Sequence, residues 1–233
     1  MTPKGVSGRT AARLDRWQGL SGAALAAFLL FHLHFESSIL FGKEAFYRVV
    51  RILEAGFLDP AGHGFPALTV LVALTLFVLL LVHAIIALRR FPQKYLQWKA
   101  LKQQAVSFPH ADTRLWLVQL ITGFSLFFLV PVHLLGIMLD PAAIGPNQSA
   151  YRIVEQGFGW LYLLLMPAVV LHAVIGVYRL VLKWFGDKVS RGVSQKLALA
   201  VGLWLLVIGT ASLVTWLFVG QSLTLPVIPY SPN

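Results

Sequence analysis

The sequence predicts an all-α integral membrane bundle of five transmembrane helices, and three observations lead there. Of its 233 residues, 58% are hydrophobic and only 12% charged, about half the charged share of an average soluble domain. The apolar residues gather into five runs, each long enough to cross a hydrocarbon core of about 30 Å, which takes about 20 helical residues. Lys and Arg gather between those runs, mostly in alternate connections. A spanning helix is apolar nearly all round, so run length and flanking charge decide the assignment rather than periodicity.

The first run, Trp17–Phe41, follows a basic leader of Lys4, Arg9, Arg13 and Arg16. Its alanine-rich start resembles a signal peptide, but it continues well past the ~7–15 residues of a cleaved segment. It is expected to be retained. Lys43–Ala55, between Gly42 and Gly56, should form a short outer helix with Phe46, Val49, Val50 and Leu53 as its apolar face. Asp59-Pro60-Ala61-Gly62-His63-Gly64 reads as a turn before the second run, Phe65–Leu88. Gln93–Ala105 mixes Tyr95, Leu96, Trp98 and Leu101 with Lys94, Lys99 and Lys102, as in a basic interfacial helix or a docking surface for a soluble partner. Asp112 or Thr113 can cap the third run, Leu115–Leu139. The fourth and fifth runs are Trp160–Leu182 and Leu197–Val219. Pro131 and Pro167 should bend their helices. A short polar tail ends in Pro229-Tyr230-Ser231-Pro232-Asn233, and residues 1–233 read as one membrane domain.

A formal net charge of +10 would suggest nucleic acid in a soluble protein, but here it resolves into topology. The leader holds four Lys or Arg, the 89–114 loop six and the 179–196 region five, whereas the other side has only Lys43, Arg48, Arg51 and Arg152. The positive-inside rule then puts the N-terminus in the cytoplasm and the C-terminus outside. With no cysteine, thiolate-held iron–sulfur clusters, disulfides and covalently attached haem are excluded.

His32, His83, His133 and His172 each sit alone inside a different apolar run. An imidazole in hydrocarbon is costly unless its nitrogens are satisfied, so each is a functional candidate by default. Depth pairs them. His83 precedes Arg89 by six residues and His172 precedes Arg179 by seven, so both lie about 10 Å inside the cytoplasmic end. His133 precedes Asp140 by seven residues and His32 precedes Gly42 by ten, giving a matching layer on the outer side. Two histidines from two helices in each layer are what bis-imidazole ligation of two haems b needs, bound between the first four spans about 10–20 Å apart. Zinc fits less well, because no carboxylate or cysteine accompanies either pair. Gly123 and Gly176 would admit a macrocycle edge or simply pack helices. His34, His63 and His110 are expected in solvated or interfacial positions.

These residues also carry a resemblance. Leu14-Asp15-Arg16-Trp17-Gln18, Ser38-Ile39-Leu40-Phe41-Gly42, His83-Ala84 with Arg89-Arg90-Phe91-Pro92, Thr122-Gly123-Phe124, Ile144-Gly145-Pro146 and Gly176-Val177-Tyr178-Arg179-Leu180 follow in order across the first four spans. They resemble the dihaem cytochrome b membrane subunit of menaquinone-linked fumarate reductases and succinate dehydrogenases, the single-polypeptide, five-helix type. The resemblance implies that His32 and His133 hold the outer haem iron and His83 and His172 the inner one. It also implies that Gln18, Trp116 and Lys183 meet the inner haem's propionates. Arg152 resembles an outer propionate or structural contact, and Glu54 the carboxylate of an outer quinol-oxidation site. A carboxylate suits that site because quinol oxidation releases two protons with its two electrons. The implied partners are menaquinone, the bilayer, and flavoprotein and iron–sulfur subunits on the cytoplasmic face of a bacterial inner membrane, with dimerisation of whole complexes open.

One position departs. Some members carry a proton-transferring glutamate two residues before the fourth histidine, where this chain has Val170. A valine carries no proton, which points to an electrogenic reaction. Two other readings stay open at this stage: the dihaem subunit of another quinone-linked complex, such as a hydrogenase or formate dehydrogenase, and a haem-free anchor or transporter.

Overall fold

The computed structural model describes residues 8–89, 91–92, 94–107 and 111–232. Lys4, Arg90, Gln93, His110 and Asn233, named above, lie outside the described residues. Among the described residues all the regular structure is helical, with α1 Gly8–Glu36, α2 Lys43–Leu53, α3 Pro66–Leu88, α4 Tyr95–Ser107, α5 Ala111–Leu139, α6 Pro146–Val154, α7 Phe158–Phe185 and α8 Arg191–Gln221. Among the described residues, five segments are long and apolar enough to cross a membrane: Gly8–Phe41, Pro66–Leu88, Asp112–Leu139, Phe158–Phe185 and Arg191–Gln221.

Each expected run matches one of these segments, the second starting one residue later at Pro66, whereas α1, α5, α7 and α8 begin before the apolar stretch does. Hydropathy marks where lipid begins, whereas the helix ladder continues as long as cationic side chains can reach water from it. At its far end α1 tightens into a 3₁₀ turn over Ser37–Phe41. Ser37 Oγ donates to Leu33 O and Ser38 Oγ to Phe35 O, both at 2.6 Å, so hydroxyls compete for the ladder there. Gly42, at φ +105°, then redirects the chain into α2.

The N-terminal half of α1, α4 and the α7–α8 turn share one end of the bundle, the basic end. There Asp15 pairs with Arg89, and Asp112 accepts from Tyr178 Oη at 2.9 Å and from Arg191 Nη1 at 2.6 Å. Asp112 thus stands in the first turn of α5 and ties α5 to α7 and α8. At the opposite end, Ile39, Phe46, Val50, Ala150, Ile153 and Trp216 form a buried cluster that locks α2 and α6 onto α8. Phe46 meets the Trp216 ring edge-on at 4.8 Å. Leu53 leaves the expected apolar face of α2 and is 52% exposed. The terminal tail is pinned rather than loose: Asn147 Nδ2 donates to Ile228 O at 2.9 Å and Tyr230 Oη to Glu44 Oε2 at 3.0 Å.

In the middle of the bundle α7 packs against α5, α8 and α1. Val170 is fully buried there with Leu205 and Ile208. Pro131 and Pro167 lie within α5 and α7, which continue through them.

Candidate functional site

His32 on α1, His83 on α3, His133 on α5 and His172 on α7 line a single cavity of about 970 Å³. It extends from Asp15 and Gln18 near the basic end to Glu54 and Arg152 near the other. The four imidazoles meet in the pairs that depth assigns. Ring centroids of His32 and His133 are 6.1 Å apart, and those of His83 and His172 are 6.4 Å apart. Two metal–imidazole bonds of about 2 Å, plus about 1.1 Å from each nitrogen to its ring centre, total about 6 Å. The spacing therefore suits one metal between each pair.

Hydrogen bonds on the far side of three of the four rings set their orientation. His172 Nδ1 lies 3.1 Å from Gln119 O, which can only accept, so Nδ1 carries the proton and Nε2 is left as the ligating nitrogen. His83 Nδ1 is 3.0 Å from Ser21 Oγ, whose own proton goes to Gln18 O at 3.2 Å. His133 Nδ1 is 3.2 Å from Tyr162 Oη. Such outer partners fix tautomer and ring direction in metal-binding histidines. Among the described residues no group of three or more His, Cys, Asp or Glu could hold a metal ion. Two protein ligands per layer fit a porphyrin iron, whose other four nitrogens come from the macrocycle, and do not fit a four-ligand zinc site.

Two glycines set the layer positions. A Cβ at Gly22 would meet His83 Cε1 at 3.0 Å, and one at Gly123 would meet His172 Cε1 at 2.8 Å. Gly22 is ten residues from His32 on α1, and Gly123 ten from His133 on α5. At 1.5 Å per residue, both helices put the two layers about 15 Å apart. Gly176 also lines the cavity, and a Cβ there would meet Gln119 Nε2 at 2.9 Å.

Gln18, Trp116 and Lys183 all line the cavity near the basic end. Gln18 Oε1 is buried with no hydrogen-bond partner among the described residues. Lys183 Nζ lies 3.9 Å from Asp15 Oδ2, so its charge is shared with a carboxylate that sequence reasoning did not place there. Arg179, which donates to Gln119 Oε1 at 2.5 Å, also lines this end. Carboxylates such as haem propionates are the natural guests of such cations and amides.

At the opposite end Arg152 is buried, with Nη2 3.4 Å from Ala143 O. Glu54 is 1% exposed. Arg51 Nη2 approaches its Oε2 to 2.6 Å and Thr69 Oγ1 donates to its Oε1 at 3.3 Å. Burial pushes the Glu54 carboxyl above the usual range, and Arg51 and Thr69 pull back. The turn behind it is rigid. Asp59 accepts from the amides of Ala61, His63 and Gly64, bonds that hold its own carboxyl below the usual range. Gly64, at φ +77°, lies so close to Glu54 that a Cβ there would stand 2.8 Å from Glu54 Cβ. Arg51 is a partner that its spacing of three residues from Glu54 along a helix could have indicated. Glu36, with no such signal in the sequence, also lines the cavity from α1.

His34 and His63 do not line this cavity. His34 is on the bundle surface, with Nδ1 2.6 Å from Leu30 O and Nε2 accepting from Trp204 Nε1 at 3.0 Å.

Residues 100–211 match the family described as succinate dehydrogenase/fumarate reductase transmembrane subunit. The chain is 35% identical over 236 aligned residues to the fumarate reductase cytochrome b subunit of Wolinella succinogenes, covering 99% of this chain and 91% of that one. It is 41% identical over 199 residues to the fumarate reductase cytochrome b subunit of Helicobacter pylori, covering 85% of this chain and 77% of that one. Cavity, paired imidazoles and sequence likeness agree: this chain belongs to the family of cytochrome b membrane subunits of fumarate reductase.

Proposed function

We propose that this protein is the dihaem, quinol-oxidising subunit of a menaquinol:fumarate reductase. The observation that supports it most is the facing of His32 with His133 and of His83 with His172 at the separation one iron requires. Bound haem b supplies one-electron redox chemistry; the protein supplies axial imidazoles, their outer hydrogen bonds and a dry passage. Gln18, Trp116 and Lys183 hold propionates at the basic end, and Arg152 does so at the other.

Glu54 takes protons from menaquinol at the end carrying α2 and α6, which the charge distribution assigns to the periplasm. Electrons move through the two layers to the basic end, in the cytoplasm. There the surface around α4, with Tyr95 80% and Leu96 73% exposed, receives the iron–sulfur and flavoprotein subunits. Fumarate chemistry belongs to those partners, and the membrane is the bacterial inner membrane.

The test is composition and spectrum of the purified complex. Two haems b per chain, a b-type reduced-minus-oxidised spectrum and co-purifying flavin and iron–sulfur subunits are expected. A single haem per fully loaded chain, or a different soluble partner, overturns the reading.

A further inference from the structure

We propose that Glu36 is a second proton-accepting carboxylate of the outer quinol site, working beside Glu54. This rests on the reading that quinol is oxidised at that end of the cavity.

Glu36 is the last residue of α1, inside the first membrane segment, and its side chain lines the same cavity as Glu54. An ionisable group within a span is costly to keep unless it has work to do. No hydrogen bond or ion pair to another described residue ties its carboxyl down, unlike that of Glu54. The charged and polar groups that act on it are His32 from its own helix, Arg152 from α6 and Tyr162 from α7. Tyr162 in turn meets His133. A carboxylate facing a cavity beside a buried guanidinium is a ready acceptor for a hydroxyl hydrogen bond.

Quinol chemistry gives such a group work to do. Menaquinol has two hydroxyls, and its oxidation breaks both O–H bonds and forms two carbonyls. The two electrons would leave singly, and ferric haem b, which His32 and His133 would hold, is the oxidant that would take them. The two protons leave with successive electrons; Glu54 alone would have to discharge between them, whereas a second carboxylate lets each hydroxyl meet its own acceptor. Glu36 accepts the second proton. Past it only the 3₁₀ turn Ser37–Phe41 separates α1 from Gly42, giving the proton a short way out.

The experiment uses the whole complex with Glu36→Gln, Glu36→Asp or Glu54→Gln. It measures haem content, oxidation of a soluble menaquinol analogue against pH, and redox-induced infrared difference spectra in the carboxylic-acid carbonyl region. Glu36→Gln should keep both haems, lose one carboxyl band and slow oxidation on the order of 10²-fold. Glu36→Asp should shift that band and recover part of the rate. If Glu36→Gln keeps the wild-type rate, pH profile and bands while Glu54→Gln is blocked, Glu36 is not the acceptor and the outer site survives. If both Gln variants oxidise quinol normally, the outer-site reading fails, and this inference with it. Should Glu36→Gln lose haem, Glu54→Gln decides: a remaining carboxyl band that moves in the Glu54→Gln/Glu36→Asp double variant supports the role, and no remaining band overturns it.

Discussion

His172 and Gln119 are joined by a 3.1 Å hydrogen bond from imidazole Nδ1 to a backbone carbonyl of the neighbouring helix. That bond turns the ring's other nitrogen toward His83, and Gly123 gives it room. Adding one methyl at that point should therefore be felt at the iron. Gly123→Ala is expected to push His172 aside and cost about 1–3 kcal/mol of overpacking, seen as roughly 10- to 100-fold weaker retention of one haem. Haem titration into the stripped complex, followed spectrally, checks this. Full affinity in both layers would show that the ring has slack.

The pairing makes a second prediction about which losses go together. His32→Ala and His133→Ala should remove the same spectral component, and His83→Ala and His172→Ala the other. Potentiometric titration of each variant resolves the components. Loss of one component in His32→Ala and the other in His133→Ala would contradict the facing of those two rings.

If Glu54 accepts protons from quinol as proposed, Arg51 and Glu54 should set the acid limb of that oxidation. Burial holds the Glu54 carboxyl above its ordinary value, while Arg51 and Thr69 lower it from there. Only the ionised carboxylate accepts a proton, so activity should fall as pH drops through the folded-state pKa. Arg51→Leu removes the main counter-charge and should move that limb to higher pH, with Thr69→Val moving it less in the same direction. Glu54→Gln should remove quinol oxidation with both haems retained. The stability sign follows as well. A raised carboxyl binds its proton more tightly folded than unfolded, so its contribution is favourable at low pH and is lost as pH rises through the folded-state value.

Val170, fully buried against Leu205 and Ile208, offers no route for a proton along α7. Protons released at the Glu54 end should stay on that side while electrons cross. In proteoliposomes, menaquinol oxidation coupled to fumarate reduction is therefore expected to build a membrane potential, positive on the Glu54 side. A voltage-sensitive dye reports it, and turnover with no dye response would show a compensating proton path.

Asp59 is the hinge pin of the turn behind Glu54. Asp59→Ala deletes the acceptor for the amides of Ala61, His63 and Gly64 and should free Gly64 from Glu54. Its carboxyl lies below the usual range because of those amide bonds, Ala61 first, so its contribution is present above the ordinary aspartate pKa and lost as pH falls through the folded value. A raised KM for quinol with unchanged haem spectra is expected in Asp59→Ala, and unchanged KM would remove the loop from the site.

How much of this was legible beforehand differs residue by residue. The number of spans and the membership of each histidine pair followed from sequence alone, because run length counts helical turns through lipid and alternating direction converts residue number into depth. Helix ends did not follow, since α1 starts nine residues before Trp17, where cations rather than apolar residues extend it. Nor did side-chain direction around the helix axis. In a span apolar on nearly every side, no stripe of hydrophobicity records which face turns inward, so Glu36 and Gln119 could not be assigned to the cavity and His34 could be excluded only by its offset from His32.

The partners across the chain came from tertiary structure only: Arg89 on Asp15, Tyr162 on His133, Tyr230 on Glu44. Depth is a one-dimensional property that hydrophobicity writes into the sequence. Rotation and lateral neighbourhood arise when the helices pack, and shape complementarity between particular side chains, such as Gly123 beneath His172, decides them.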